Sequence, residues 1–104
     1  MTEGITALTD ATFEAFVKKN KRCIIDFWAE WCGPCMRMVP IYADAAKKYG
    51  GKVAFGKMNI DENQKVAKEY GIMSIPTFLI FKDGEHCNTL VGMKGPAELD
   101  AALK

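Results

Sequence analysis

No apolar run in this sequence reaches the ~20 residues that a membrane-spanning helix needs. An excess of charge is missing as well. Fourteen basic side chains face thirteen acidic ones, so nothing favours nucleic acid or a charged membrane surface as a partner. The opening residues Met1-Thr2-Glu3-Gly4 lack a basic segment followed by a long apolar one. No secretory leader is therefore expected, and the expected compartment is the cytosol. Internal repeats, linkers and low-complexity stretches are also lacking. The single histidine, His86, stands beside Cys87 and far along the chain from the other cysteines, a poor basis for a tetrahedral metal site.

What is present suits one domain, expected over residues 1–104. The chain has 104 residues, 49% of them apolar, enough for a sizeable core. It carries four cysteines. In a reducing compartment these are not a disulfide framework, which leaves the close pair Cys32 and Cys35 as either catalytic or metal-binding. Cys23 lies in an apolar run and reads as a small buried hydrophobe. Cys87 lies near a turn and reads as a more exposed thiol, open to regulatory oxidation.

Periodicity orders the chain. Gly4 to Ala7 is expected to form a short edge strand. Thr9 or Asp10 is expected to cap a helix with Phe13, Phe16 and Val17 on its apolar face, ending in the basic run Lys18 to Arg22. That run reads as a solvated helix end. Cys23 to Ala29 is apolar on both faces, as a central strand covered by helices would be. A helix from about Pro34 to Tyr49 places Cys35, Val39, Tyr42, Ala46 and Tyr49 on one stripe. Pro40 predicts a kink inside it, and Gly50-Gly51 a stop. A strand over Val53 to Ile60 precedes a helix starting at Asp61-Glu62-Asn63, with Val66, Ala67 and Tyr70 inward and Gly71 at its end. Thr77 to Phe81 and His86 to Val91 are predicted to pair antiparallel across an Asp83-Gly84 turn. Pro96 opens a last helix with Leu99, Ala102 and Leu103 inward. The order β-α-β-α-β-α-β-β-α implies an α/β fold: a central mixed five-stranded sheet flanked by four helices on both faces.

Chemistry concentrates in Trp31-Cys32-Gly33-Pro34-Cys35, at the junction of the central strand and the long helix. Cysteines at i and i+3 can close a small disulfide ring. The first sulfur sits at a helix N-terminus, where free backbone N–H groups and the helix dipole favour a thiolate. Gly33 lets a partner's backbone approach, and Pro34 fits the first helical turn, where its missing donor costs nothing. Cys32 is nearer the helix tip and is expected to be the more exposed nucleophile. Cys35, deeper in the helix, is the resolving thiol. Asp26, in the middle of an apolar strand, is a desolvated carboxyl with a raised pKa, suited to exchanging protons near neutrality. The alternative for Asp26 is a strand-end carboxylate facing water.

The segment Asp26 to Cys35 resembles the active-site segment of the thioredoxin family. The resemblance extends to Pro40, Asp61, Ile75-Pro76-Thr77, Gly84 and Gly92, and covers nearly the whole chain. It implies the thioredoxin fold and a monomeric thiol–disulfide oxidoreductase that reduces protein disulfides. It also implies recharging by a thioredoxin reductase and no cofactor beyond the Cys32–Cys35 dithiol/disulfide. The roles of Cys32 and Cys35 match those of the family. Asp26 becomes the acid/base that deprotonates Cys35. Lys57 matches the lysine beside that carboxyl, against a plain surface lysine as the alternative. Pro76 is expected to follow a cis bond, to pack against the cysteines and to keep metals from them. The Ile75 backbone is expected to pair with an extended client peptide. Trp31, Gly33, Pro34, Ile75, Pro76, Gly92 and Met93 complete an apolar client-binding patch. Trp28 is equally well explained by packing.

Three positions depart from the common family pattern. Met36 stands where many members carry Lys, which removes a positive charge near the sulfurs. Ser74 and Met93 flank the expected patch. Two other readings remain. One is a disulfide oxidase or isomerase, against which Gly33-Pro34 argues, since oxidising relatives usually hold a His between the cysteines. The other is a binding subunit whose cysteines are incidental.

Overall fold

Seven residues with almost no polar interruption organise the molecule. In the computed structural model, which describes residues 4–104, Arg22–Trp28 forms β2 at the centre of the sheet, buried on both faces except at its ends. The other strands are β1 (Ile5–Ala7), β3 (Ala54–Asn59), β4 (Thr77–Lys82) and β5 (Glu85–Val91), and the helices are α1 (Phe13–Lys19), α2 (Gly33–Tyr49), α3 (Gln64–Glu69) and α4 (Pro96–Leu103). The five-stranded sheet runs in the order β1-β3-β2-β4-β5. The first three of these strands are parallel, and β4 and β5 join antiparallel. This is the mixed sheet with four helices that the element order predicts.

Alternation along β2 creates two cores, because successive side chains of a strand point to opposite faces. Cys23, Ile25 and Phe27 pack with Phe13, Phe16 and Val17 of α1 and Val66 of α3. Ile24 packs with Met38, Tyr42 and Ala46 of α2 and with Leu99 and Leu103 of α4. Asp26 and Trp28 belong by alternation to the α2 face, and that places the carboxyl under the cysteine helix. The β4–β5 hairpin turns on Asp83 and Gly84, both at positive φ, 53° and 82°. Two such residues in succession match the right-handed twist of the flanking strands.

Several expectations are corrected. In α2 the buried stripe is Cys35, Met38, Tyr42 and Ala46. Val39 is 49% exposed instead of inward. It lies a helical step to one side of that stripe, at the rim of a cavity described below. Tyr70 lies past the end of α3 and is exposed, with its ring edge-on to Phe13 and Phe81. Helix α3 starts at Gln64, later than expected, because the backbone at 61–63 is held in a turn on Asn59.

The expected cap of α1 is displaced in an informative way. Thr9 and Thr12 form a turn that leads into Phe13, and Thr12 is the residue before the helix. Asp10 serves a different helix. Its carboxylate accepts the backbone N–H groups of Lys65 and Val66 at 3.2 and 2.9 Å, in the first turn of α3. In return, the Asn63 side chain accepts the N–H of Asp10 at 2.9 Å. The residue type was right for capping, but its helix is more than fifty positions along the chain.

Candidate active site

Strand β2 ends at Trp28, and after four intervening residues the chain enters α2 at Gly33. Cys32 is the residue before the helix, in extended conformation, and Pro34 sits in the first turn. Cys32 and Cys35 form a disulfide with their Cα atoms 5.2 Å apart. The backbone N–H of Cys35 points at the sulfur of Cys32, 3.1 Å away. That N–H is one of the unpaired donors of the helix start, and a charged acceptor would strengthen the contact.

The two sulfurs differ less in exposure than their order along the helix suggests. Cys32 is 5% exposed and Cys35 is 2%. They differ in what they border. Cys32 lines an open groove of about 450 Å3 with Trp31, Gly33, Pro34, Met73, Ser74 and Ile75. Cys35 lines a separate cavity of about 320 Å3, which also takes in Asp26, Trp28 and Lys57.

The groove contains part of the expected client patch. The Ile75–Pro76 peptide is cis, and Ile75 presents its carbonyl oxygen 3.8 Å from the Cys32 sulfur. Pro76 itself is buried. Trp31 is 68% exposed, yet its Nε1–H donates to Asp61 Oδ2 at 2.9 Å, which fixes the indole over the groove's edge. The N–H of Asp61 in turn donates to the Asn59 side chain at 2.8 Å. Gly92 and Met93 do not line the groove. Gly92, at φ 88°, donates its N–H to the Pro76 carbonyl at 2.8 Å and so supports the turn from the side. Met93 is exposed beyond it.

Sequence reasoning missed Met73, which is 95% exposed on the groove wall. The available signal was a run of apolar residues, Ile72-Met73, between the end of α3 and the cis-proline turn. Ile60 and Ala67, which line the floor, read only as strand and helix positions.

On the other side of the disulfide, Asp26 is 7% exposed. Burial pushes its carboxyl from 3.8 up to about 7, and the nearby Lys57 ammonium pulls the other way without cancelling it. Lys57 is the register partner of Asp26 on β3, so the two share one face of the sheet. Its Nζ also lies 5.1 Å from the centre of the Trp28 ring, within cation–π range. Tyr42, below, donates its hydroxyl toward the carbonyls of Gly56 and Ile24 at 2.7 and 3.1 Å. Of the remaining cysteines, Cys23 is wholly buried, and burial followed by the proximity of Cys87 lifts its thiol to about 11. Cys87 is exposed on β5. Among the described residues no cluster of three or more His, Cys, Asp or Glu side chains is placed to hold a metal, and no helix is long and apolar enough to cross a membrane.

A dithiol that closes at a helix start, with a groove before one sulfur and a buried carboxyl behind the other, defines a thiol–disulfide oxidoreductase. Comparison with known proteins narrows the class. The thioredoxin family model matches residues 4–104. The chain is 44% identical to a thioredoxin of Pseudomonas aeruginosa over 104 residues, covering 99% of this chain and 96% of that protein. A thioredoxin of Alicyclobacillus acidocaldarius is 42% identical, covering 92% and 91% of the two chains. Among solved structures, oxidised mitochondrial thioredoxin 3 of Saccharomyces cerevisiae superposes with a TM-score of 0.90 at 35% identity, covering 98% and 95%. The chain belongs to the thioredoxin family, and its activity is that of a protein-disulfide oxidoreductase.

Proposed function

We propose that the chain reduces disulfides of client proteins in two thiol-exchange steps and is recharged by a thioredoxin reductase in the cytosol, carrying electrons between the two as a monomer. In the first step the reduced Cys32 thiolate attacks a client sulfur. A mixed disulfide forms and one client thiolate leaves. In the second, the Cys35 thiol gives its proton to Asp26, and the resulting thiolate attacks the Cys32 sulfur. The client departs reduced and the Cys32–Cys35 disulfide closes. The observation that carries this reading is the N–H of Cys35 aimed at Cys32 Sγ at 3.1 Å. It provides a donor for negative charge on the first sulfur and none for the second.

Asp26 fits the proton acceptor because its raised pKa, about 7, lets it change protonation under neutral conditions. Lys57 is the positioning charge beside it, limiting how far that value climbs. Trp31, Gly33, Pro34, Ile75 and Met73 form the client wall, and Pro76, Gly92 and Met93 support or extend it. The backbone of Ile75 offers an extended client peptide a hydrogen-bonding edge, which allows affinity without a side-chain code. The Gly33-Pro34 pair favours a reductant over an oxidase.

Reduction of insulin by dithiothreitol tests the reading. Cys32→Ser is expected to abolish the catalysed rate. Cys35→Ser is expected to retain attack and to trap clients as stable mixed disulfides on Cys32. Wild-type rates in Cys32→Ser, or no adducts on Cys35→Ser after incubation with oxidised clients, would remove the two-step mechanism.

A further inference from the structure

Of the six methionines in the chain, Met1 lies outside the described residues. Met38 and Met58 are wholly buried, and Met38 Sδ accepts the N–H of Lys94 at 3.4 Å. The other three border the redox pair. Met36 lines the cavity of Cys35, Met73 lines the groove of Cys32, and Met93 follows Gly92, whose N–H donates to the Pro76 carbonyl. Their exposure differs widely: 38% for Met36, 42% for Met93 and 95% for Met73. The Met73 thioether stands almost entirely in solvent.

Exposure decides which sulfur a dissolved peroxide can reach. In the oxidised protein few other sulfurs compete with Met73 for it. Cys32 and Cys35 are closed on each other, and Cys23 is wholly buried with its thiol raised to about 11. Cys87 is the exposed thiol that remains, on β5 and outside the groove. Oxidation turns a flexible apolar side chain into a polar one whose S=O accepts hydrogen bonds. The groove has little to offer that oxygen. Pro34, Ile60, Ala67, Ile72 and Ile75 are apolar, and the Trp31 Nε1–H is already given to Asp61.

We propose that Met73 is a reversible oxidation site that sets the affinity of the groove for clients. The Met73 sulfur attacks one oxygen of hydrogen peroxide, and the O–O bond breaks. That oxygen stays on sulfur as the sulfoxide, the other leaves as water, and the peroxide gains the two electrons that the sulfur loses. Methionine sulfoxide reductases reverse the change, taking two electrons and two protons from thiols and releasing the oxygen as water. Control over clients rests on the groove being the client surface proposed above. A client that covers the sulfoxide strips water from its oxygen without replacing the hydrogen bonds. Docking weakens, while sulfur exchange at Cys32 is untouched.

The test exposes oxidised protein carrying Cys87→Ser, which removes the competing thiol, to hydrogen peroxide. Peptide mass mapping is expected to find one oxygen added to Met73 first, then to Met36 and Met93, with Met38 and Met58 unmodified. After the peroxide is removed, KM for insulin is expected to rise about fivefold with kcat little changed. Methionine sulfoxide reductases A and B, one for each sulfoxide epimer, are expected to restore it. With Met73→Leu added, KM should be the same before and after peroxide. Met73 modified no faster than Met36 or Met93, a KM unmoved by full oxidation of Met73, or an equal rise with Met73→Leu would each overturn the proposal. Met73→Asp separates this failure from that of the client reading. A raised KM in Met73→Asp with none in the sulfoxide removes the oxidation switch and leaves the groove as the client surface. An unchanged KM in both removes the groove itself.

Discussion

Replacing Asp26 with Asn should stabilise the oxidised protein by an amount that depends steeply on pH. The carboxyl is buried, and its folded-state value of about 7 stands above the ordinary 3.8. Between these two values the unfolded chain has lost the proton while the folded chain still holds it. The folded state therefore binds more protons, and stability falls as pH rises through this window, levelling off above the folded value. At about 1.4 kcal/mol per pH unit, the full gap amounts to about 4 kcal/mol of stability missing at alkaline pH. Asn keeps the shape and removes the ionisation. Urea unfolding of wild type and Asp26→Asn at about pH 4 and about pH 9 measures the difference. Near-equal stability in acid and an advantage for Asn of about 4 kcal/mol in alkali are expected. An advantage that stays constant across the range would show that Asp26 is not a desolvated acid, and its proposed part in proton exchange would lose its physical basis.

Other consequences follow from the same geometry. Asp10→Ala should cost about 1–2 kcal/mol in urea unfolding, because it strips two acceptors from the first turn of α3; Asp10→Asn, with one oxygen left, should lose less. Asp61→Ala frees the Trp31 indole, and is expected to lower Trp31 fluorescence anisotropy and raise KM for a protein client about threefold with kcat little changed. An unaltered KM would remove the pinned indole from client binding.

The strands and their order were legible because β2 and β4 are apolar on both faces and the Asp83-Gly84 pair has one obvious conformational use. The disulfide pair was legible for the same kind of reason: cysteines three apart at a strand-to-helix junction have little freedom to do anything else. Asp10 shows where local reading fails. Its residue type announced a cap, but a side chain cannot signal in sequence that its N–H partners lie on a helix reached only after folding. Val39 failed for a related cause. A helical stripe predicts which residues face the sheet, yet the packing between α2 and the sheet is not continuous: a cavity opens between Asp26 and the helix, and an apolar residue at its rim looks identical to one in the core.

That discontinuity bears on the proton exchange proposed for Asp26. A fully packed interface between α2 and β2 would leave the Asp26 carboxyl no route for a proton and would force it to remain neutral at every accessible pH. A fully solvated one would return its pKa toward 3.8 and leave it ionised throughout neutral conditions. The structure sits between these limits. Asp26 is almost wholly buried, but it borders a cavity that also touches Cys35, with Lys57 close enough to hold the value near 7. Met36 contributes to this balance as an uncharged residue lining the same cavity. A Lys in its place would add a second cation near the carboxylate and favour its charged form. Met36 therefore bears on the carboxyl behind the disulfide as well as on the sulfur of Cys35, which lines the same cavity.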